Sequence, residues 1–589
     1  MAQAAGKAVD IGLLKRVLKY TKPYGKILFY SVTLTIALAA LAPLRPLLIQ
    51  HTLDTYIVEN DSTGLLNMVI LMVGLLLLQT LGQYFHTYYC NTLGQSVIRD
   101  LRTDTFNHIT SLRLKYFDHT PIGQLITRTV SDLETIAAIF SEGLIVLIGD
   151  LLQVFVLIGV MLYTDWKLTL IVLVPMPFLV IASIIFKEAI KTAFQEVRTQ
   201  VSHLNTFLQE HITGISLIQY FARERQEMDK FKQINAQHRD ANIRSNWYYS
   251  IFFPVVEIIS AISMGLLVWY GSKLILSNET SPGVIVAFLM YINMLFRPIR
   301  ELADKFNTLQ MGMVGAERIF SVLDTHELTE NRGTHHPSIL HGEILFEHVW
   351  FAYHEQDWVL KDISFHIKPG QTLALVGATG AGKSSIINIL NRFYDINKGS
   401  IQIDGLDIRE YSLEYLRSKI TTVLQDTFLF SDSIANNITL NNPQIAREQL
   451  IKTAKEVGAH DFIERLPGGY DYNVMERGAT LSIGQAQLIS FIRALVYDPK
   501  ILVLDEATSS IDTETEELIQ NVLHKLMQKR TCIIIAHRLS TIQNADKIIV
   551  LDHGEIKEIG SHQELLKLNK YYKRLYDLQF NSEGIAKSI

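Results

Sequence analysis

Six charge-poor, apolar stretches crowd into the first 300 of the 589 residues. A helix needs about 20 such residues to cross the hydrocarbon of a bilayer. The first stretch runs from Ile27 to Leu44 without a charge, and the second lies between Ser62 and Val97, where only His86 can become charged. The third, about Ala137 to Tyr163, is interrupted by Glu142 and Asp150. The fourth, Leu168 to Phe186, holds Pro175 and Pro177; the fifth, Trp247 to Gly271, encloses Glu257; the sixth runs from Gly283 to Phe296. Buried core helices of a large soluble protein account for one or two runs of this kind, not for six in 300 residues. The sequence therefore predicts a membrane α-helical bundle of six transmembrane helices.

Basic residues set the expected orientation, because they stay on the cytoplasmic side in loops near the spans. Lys7, Lys15, Arg16, Lys19, Lys22 and Lys26 precede the first stretch, whereas the loop from His51 to Thr63 has no Lys or Arg and carries Asp54, Glu59 and Asp61. The segments between the second and third and between the fourth and fifth stretches are long and basic. Both termini are thus expected in the cytoplasm, with helices continuing beyond the membrane on that side. Turns around Pro121 and Gly123, and around Thr213 and Gly214, are places for short transverse helices.

After Leu323 the composition changes. Residues 1–323 read as the transmembrane domain, 324–341 as a polar linker, 342–578 as a second domain and 579–589 as a tail. The second domain alternates short β-rich runs with helices, the pattern of an α/β fold with a mainly parallel sheet. Its predicted strands are Leu373 to Val376, Ile401 to Ile403, Thr421 to Leu424, Ile501 to Leu504, Cys532 to Ala536 and Lys547 to Leu551. Two cysteines among 589 residues exclude a disulfide scaffold, and a net charge of -5 gives no reason to expect nucleic acid as a partner.

Chemistry concentrates at strand ends. The strand Leu373 to Val376 leads into Gly377-Ala-Thr-Gly-Ala-Gly382-Lys383-Ser384, and a helix follows from Ser385. This is the phosphate-binding loop pattern of a P-loop nucleotide-binding domain. Gly377, Gly380 and Gly382 let the backbone turn so that its N–H groups face phosphate, Thr379 in the same loop is a further nucleotide-binding candidate, and the helix start at Ser385 adds its positive dipole end. Lys383 reaches the β- and γ-phosphates, and the Ser384 hydroxyl suits Mg²⁺. The apolar strand Ile501 to Leu504 ends in Asp505, suited to Mg²⁺, and Glu506, suited to orient or deprotonate an attacking water. ATP and Mg²⁺ are the expected cofactors.

With those residues in place, the chain resembles the ATP-binding cassette (ABC) transporter superfamily from about Leu13 to Leu578. The resemblance is to the exporter type, a half-transporter with six spans ahead of one cassette. It implies that Tyr353 stacks on adenine and that Gln425 touches Mg²⁺ and the attacking water. Leu481-Ser482-Ile483-Gly484-Gln485 is similar to the family signature Leu-Ser-Gly-Gly-Gln, with Ile483 replacing the first glycine. In the family, Ser482, Gly484 and Gln485 would face ATP held by the other protomer. Ser510 and Asp512 match the loop through which protomers sense each other, and His537, 31 residues after Glu506, matches the histidine at the γ-phosphate. Phe117 to Asp132 resembles the first intracellular loop.

One phosphate loop and one signature make half a machine, so the resemblance implies a second half-transporter chain, as a homodimer or a heterodimer with a related chain. The implied function is ATP hydrolysis coupled to export or flipping of an amphipathic, lipidic or drug-like substrate by alternating access. The implied location is a bacterial inner (plasma) membrane, with membrane lipid as a further partner. A peptide exporter and an ATP-gated channel or regulator are the alternatives. Charges within spans mark function by default, which makes Glu257, Asp150 and Arg45 candidate substrate contacts. The competing reading is that they pair with one another or meet water. Phe252, Phe253, Phe288, Met290, Tyr291 and Met294 either line a cavity or pack against helices and lipid.

Overall fold

A computed structural model describes residues 10–577, apart from 330, 332, 355–356, 506–512, 529 and 536–541. The chain forms two compact units: residues 1–110 with 120–326, and residues 111–119 with 327–589.

The first unit is helical. Among the described residues, five helical stretches are long and apolar enough to cross a membrane: Lys22–Ile57, Ser62–Ser111, Ile122–Thr164, Trp166–Thr213 and Glu224–Leu276. A sixth, shorter apolar stretch, Pro282–Pro298, opens the helix Pro282–Leu323. Ser62–Ser111 has 50 residues and Glu224–Leu276 has 53. At 1.5 Å per residue these helices extend about 75–80 Å, more than twice the roughly 30 Å of hydrocarbon. Their charged portions therefore continue outside the apolar layer, as the sequence predicts.

Local chemistry sets the breaks. Asp165 turns the chain, and its side chain accepts from the Leu168 N–H to start the next helix. Pro175 ends the helix Trp166–Leu173 and another begins at Met176, so the fourth apolar stretch is two helices. Ser281 caps the last helix with Pro282 in its first turn, where a missing N–H costs nothing. Gly312 and Gly315 bring that helix against residues 132–139: a β-carbon on either would lie 2.7 Å from a backbone oxygen there. Small residues allow such close helix contacts in membranes. Phe252, Phe288 and Tyr291 are buried in this unit's core; the Phe186 and Phe252 rings stack at 4.0 Å, and the Tyr291 hydroxyl donates to the Pro43 carbonyl.

Among the described residues the second unit carries ten strands: β1 (Ile344–Ala352), β2 (Trp358–Ile367), β3 (Thr372–Val376), β4 (Lys398–Ile403), β5 (Leu406–Asp407), β6 (Ile420–Val423), β7 (Ile501–Asp505), β8 (Thr531–Ile535), β9 (Lys547–Asp552) and β10 (Glu555–Gly560). A four-stranded sheet has the order β2-β1-β4-β5, and a six-stranded sheet the order β10-β9-β3-β8-β7-β6. In the larger sheet every pairing is parallel except that of β10 with β9. Every residue of β3 and β8 is buried, as expected where helices cover both faces of a parallel sheet.

Residues 111–119 belong to this unit although they interrupt the membrane sequence. They form the short helix Leu114–His119, just ahead of the predicted turn at Pro121. The Arg113 guanidinium pairs with Asp395 at 3.0 Å, and the Tyr394 hydroxyl donates to the Asp118 carboxylate. The second short helix, Ile215–Tyr220, follows Gly214 in the first unit.

Candidate functional site

The parallel strands of the large sheet have their C-terminal ends at one edge. β3 is followed by Gly377 and the phosphate loop; β7, which ends in Asp505, reaches it through β8. Gln425 follows β6 at the same edge and is exposed. This C-terminal edge is where open parallel sheets bind ligands.

The loop has a shape that only glycine permits. A β-carbon on Gly377 would sit 2.2 Å from the Leu551 carbonyl oxygen, and one on Gly382 would sit 2.7 Å from Leu360 Cδ2. Ala378, Thr379, Gly380 and Ser384 are exposed, while Lys383 and Ser385 are buried in the first turn of the helix Lys383–Leu390. The Lys383 ammonium donates to the Gly377 and Ala378 carbonyls at 2.8 and 3.0 Å, which lays its charge along the loop. Burial pushes Lys383 below the ordinary lysine value, and the neighbouring Asp505 carboxylate opposes that shift. An exposed row of backbone, a buried ammonium and a helix start together fit a polyphosphate.

Tyr353 is half-buried beside the loop. Its hydroxyl lies 3.1 Å from Ser385 Oγ and accepts from Asn388 Nδ2 at 3.3 Å, and its ring meets Phe351 and Tyr394 edge-on. The signature residues start the helix Ile483–Val496. Ser482 Oγ accepts from the Gln485 N–H, and Gln485 Oε1 accepts from the Ser482 N–H, so the two cap the helix reciprocally. Ile483 is 66% exposed, so its side chain is largely free of the described residues of its own domain. Glu506, Ser510, Asp512 and His537 lie outside the described residues.

In the helical unit, Asp150 pairs with Lys305, which also bonds Glu301 at 2.9 Å. Glu257 and Arg45 are exposed. None of the three lines a cleft of about 1290 Å³ that is walled chiefly by Ser62–Ser111. Polar side chains four residues apart line it: Gln79, Gln83, Thr87, Asn91, Gln95 and Arg99. A search of the spans for formal charge overlooks five of these six, although their spacing is written in the sequence.

The comparisons agree with this architecture. Residues 28–299 match the ABC transporter transmembrane region, and residues 360–509 match the ABC transporter cassette. The Bacillus subtilis ABC transporter ATP-binding protein YknV is 40% identical over 96% of this chain and 94% of its own. The probable multidrug resistance ABC transporter ATP-binding/permease protein YheH of the same organism is 38% identical, covering 88% of this chain and 78% of its own. The ATP-dependent lipid A-core flippase of Desulfotalea psychrophila is 35% identical over 96% and 99%. The chain belongs to the ABC transporter family, as an exporter-type half-transporter that binds and hydrolyses ATP.

Proposed function

We propose that this chain exports or flips an amphipathic, lipidic or drug-like molecule by alternating access, as a dimer of half-transporters in a bacterial inner membrane with both termini cytoplasmic. The observation that carries the reading is the pairing, in one chain, of a single exposed phosphate loop with a single exposed signature start. Two copies complete two sites, each with Gly377–Ser384 of one chain facing Ser482–Gln485 of the other. The names of the relatives, multidrug and lipid A-core, supply the substrate range.

In this reading Lys383 and the loop N–H groups hold the β- and γ-phosphates, and Tyr353 stacks on adenine. Ser384, Gln425 and Asp505 hold Mg²⁺, which when bound neutralises charge on the phosphates. Glu506 orients or deprotonates the attacking water, His537 contacts the γ-phosphate, and Asp512 serves the contact between chains. Moving a two-state equilibrium from 1:99 to 99:1 takes about 5.5 kcal/mol of differential binding. Contacts from Ser482 and Gly484 that exist only in the closed dimer supply such a bias. Glu506→Gln tests this: it is expected to bind ATP, lose turnover and accumulate closed dimers on native gels. Near-normal hydrolysis in that variant would remove Glu506 from its role.

A further inference from the structure

Tyr353 follows β1 directly, yet its hydroxyl is held by a different element. The phenol oxygen accepts from Asn388 Nδ2 at 3.3 Å and stands 3.1 Å from Ser385 Oγ. Ser385 and Asn388 are three residues apart on the helix Lys383–Leu390, so they share one face of it. That helix grows out of the phosphate loop and carries Lys383 in its first turn. The hydroxyl therefore ties the ring to the element that presents the loop.

The direction of the bonds follows from the groups. A phenol has one proton to donate and can also accept, whereas an amide nitrogen only donates. With Asn388 Nδ2 donating into the oxygen, the Tyr353 proton is left for Ser385 Oγ. The rest of the ring is held by apolar contact: Phe351 and Tyr394, both buried, meet it edge-on with centroids 4.7 and 5.0 Å away. Apolar contacts are non-directional and let a ring slide. Two hydrogen bonds at its far end fix where it stops.

Helix propensity does not account for Asn388. Asparagine is a weaker helix former than alanine, and this one is half-buried within the helix. Among the described residues its side-chain amide makes one hydrogen bond, the one to Tyr353. We infer that Asn388 is a positioning residue for the nucleotide base: its amide holds the Tyr353 hydroxyl so that the ring stands at a fixed offset from the phosphate loop. One ATP then engages ring and loop together without first ordering the ring, the general gain from preorganisation. This rests on the reading above in which Tyr353 stacks on adenine, and deepens it by one residue.

The test uses the full chain in lipid nanodiscs, with ATP and inorganic tripolyphosphate as probes. Both engage the phosphate loop, and only ATP carries a base. Asn388→Ala is expected to raise the half-saturating ATP concentration about 3- to 10-fold, the scale of one lost hydrogen bond, at an unchanged maximal rate. The inhibition constant of tripolyphosphate against ATP hydrolysis should not move. Tyr353→Phe keeps the ring and removes the oxygen, so it should raise the ATP requirement by a similar factor, and Asn388→Ala added to it should add nothing further. An ATP requirement unaltered by Asn388→Ala overturns the inference. An equal loss for ATP and tripolyphosphate also overturns it, because Asn388 would then support the loop rather than the ring, and so does full additivity with Tyr353→Phe. If Asn388→Ala does not fold, Tyr353→Phe decides alone: a loss confined to ATP sustains the inference, and no loss overturns it. Tyr353→Ala separates this inference from the reading beneath it. Unaltered ATP binding there removes the stacking role and the positioning role together, whereas weakened binding there beside an unaltered Asn388→Ala removes the positioning role only.

Discussion

The Tyr394 hydroxyl donates to the Asp118 carboxylate, and the same ring meets Tyr353 edge-on with centroids 5.0 Å apart. Burial, and after it the Asp118 carboxylate, push the Tyr394 hydroxyl above the ordinary tyrosine range, so it remains a donor throughout the physiological range. The aromatic residue assigned to adenine and the short helix Leu114–His119 thus share one neighbour. Tyr394→Phe keeps the ring and removes the bond to Asp118. It is expected to lower transport per ATP hydrolysed by about 3- to 10-fold, within the 0.5–2 kcal/mol typical of a residue that modulates coupling. The check is to measure hydrolysis and transport in the same proteoliposomes; an unchanged ratio would show that the contact does not link hydrolysis to transport.

Lys383 gives a pH dependence with a definite sign. Its folded value lies below the ordinary lysine value because of burial. Between those two values the unfolded chain holds more protons than the folded one, so stability without nucleotide rises with pH across that window. Bound phosphate favours the ammonium and raises the value again. ATP binding therefore takes up a proton above the free-site value, and affinity falls as pH rises through it. Calorimetry in buffers of different ionisation enthalpy should detect proton uptake in alkaline solution and none at neutral pH from this group. Affinity that stays flat into the alkaline range would contradict the assignment.

Asp150 and Lys305 pair within the helical unit, with side chains 22% and 17% exposed. Removing one partner leaves a partly buried charge uncompensated, a loss of up to about 3–5 kcal/mol for a fully buried pair. Lys305→Met is expected to lower the thermal midpoint in lipid, and Asp150→Asn added to it is expected to recover most of the loss. A double variant no better than the single one would show that the pair is not the stabilising contact.

Much of the cassette was legible because its chemistry sits at the ends of apolar strands. β3, β6, β7, β8 and β9 are short β-rich runs that stand out between helices, and all five match predicted strands within a residue or two. β1 and β2 were not legible. Their buried and exposed positions alternate irregularly, with register shifts at Val349 and Phe351 and with His348 and Asp362 turned to positive φ. The helix Leu114–His119 has only six residues, too few for a periodic signal. The partner of Asp150 stands 155 residues away, beyond any local pattern. Ile483 shows the same limit: whether a side chain at the first turn of a helix is buried or exposed depends on how the helix packs, and here it is exposed. Gln79, Gln83, Thr87, Asn91 and Gln95 on Ser62–Ser111 carry no charge, so a search of the spans for charge passes over a spacing that is present in the sequence.

The most direct test of ATP-driven export is transbilayer movement of a fluorescent amphiphile in proteoliposomes, with hydrolysis counted in the same vesicles. For the unsubstituted chain, movement is expected only with ATP and in fixed proportion to the ATP consumed, and Glu506→Gln should abolish both. Movement at the same rate without ATP, or undiminished in Glu506→Gln, would contradict the account and favour a channel or regulator.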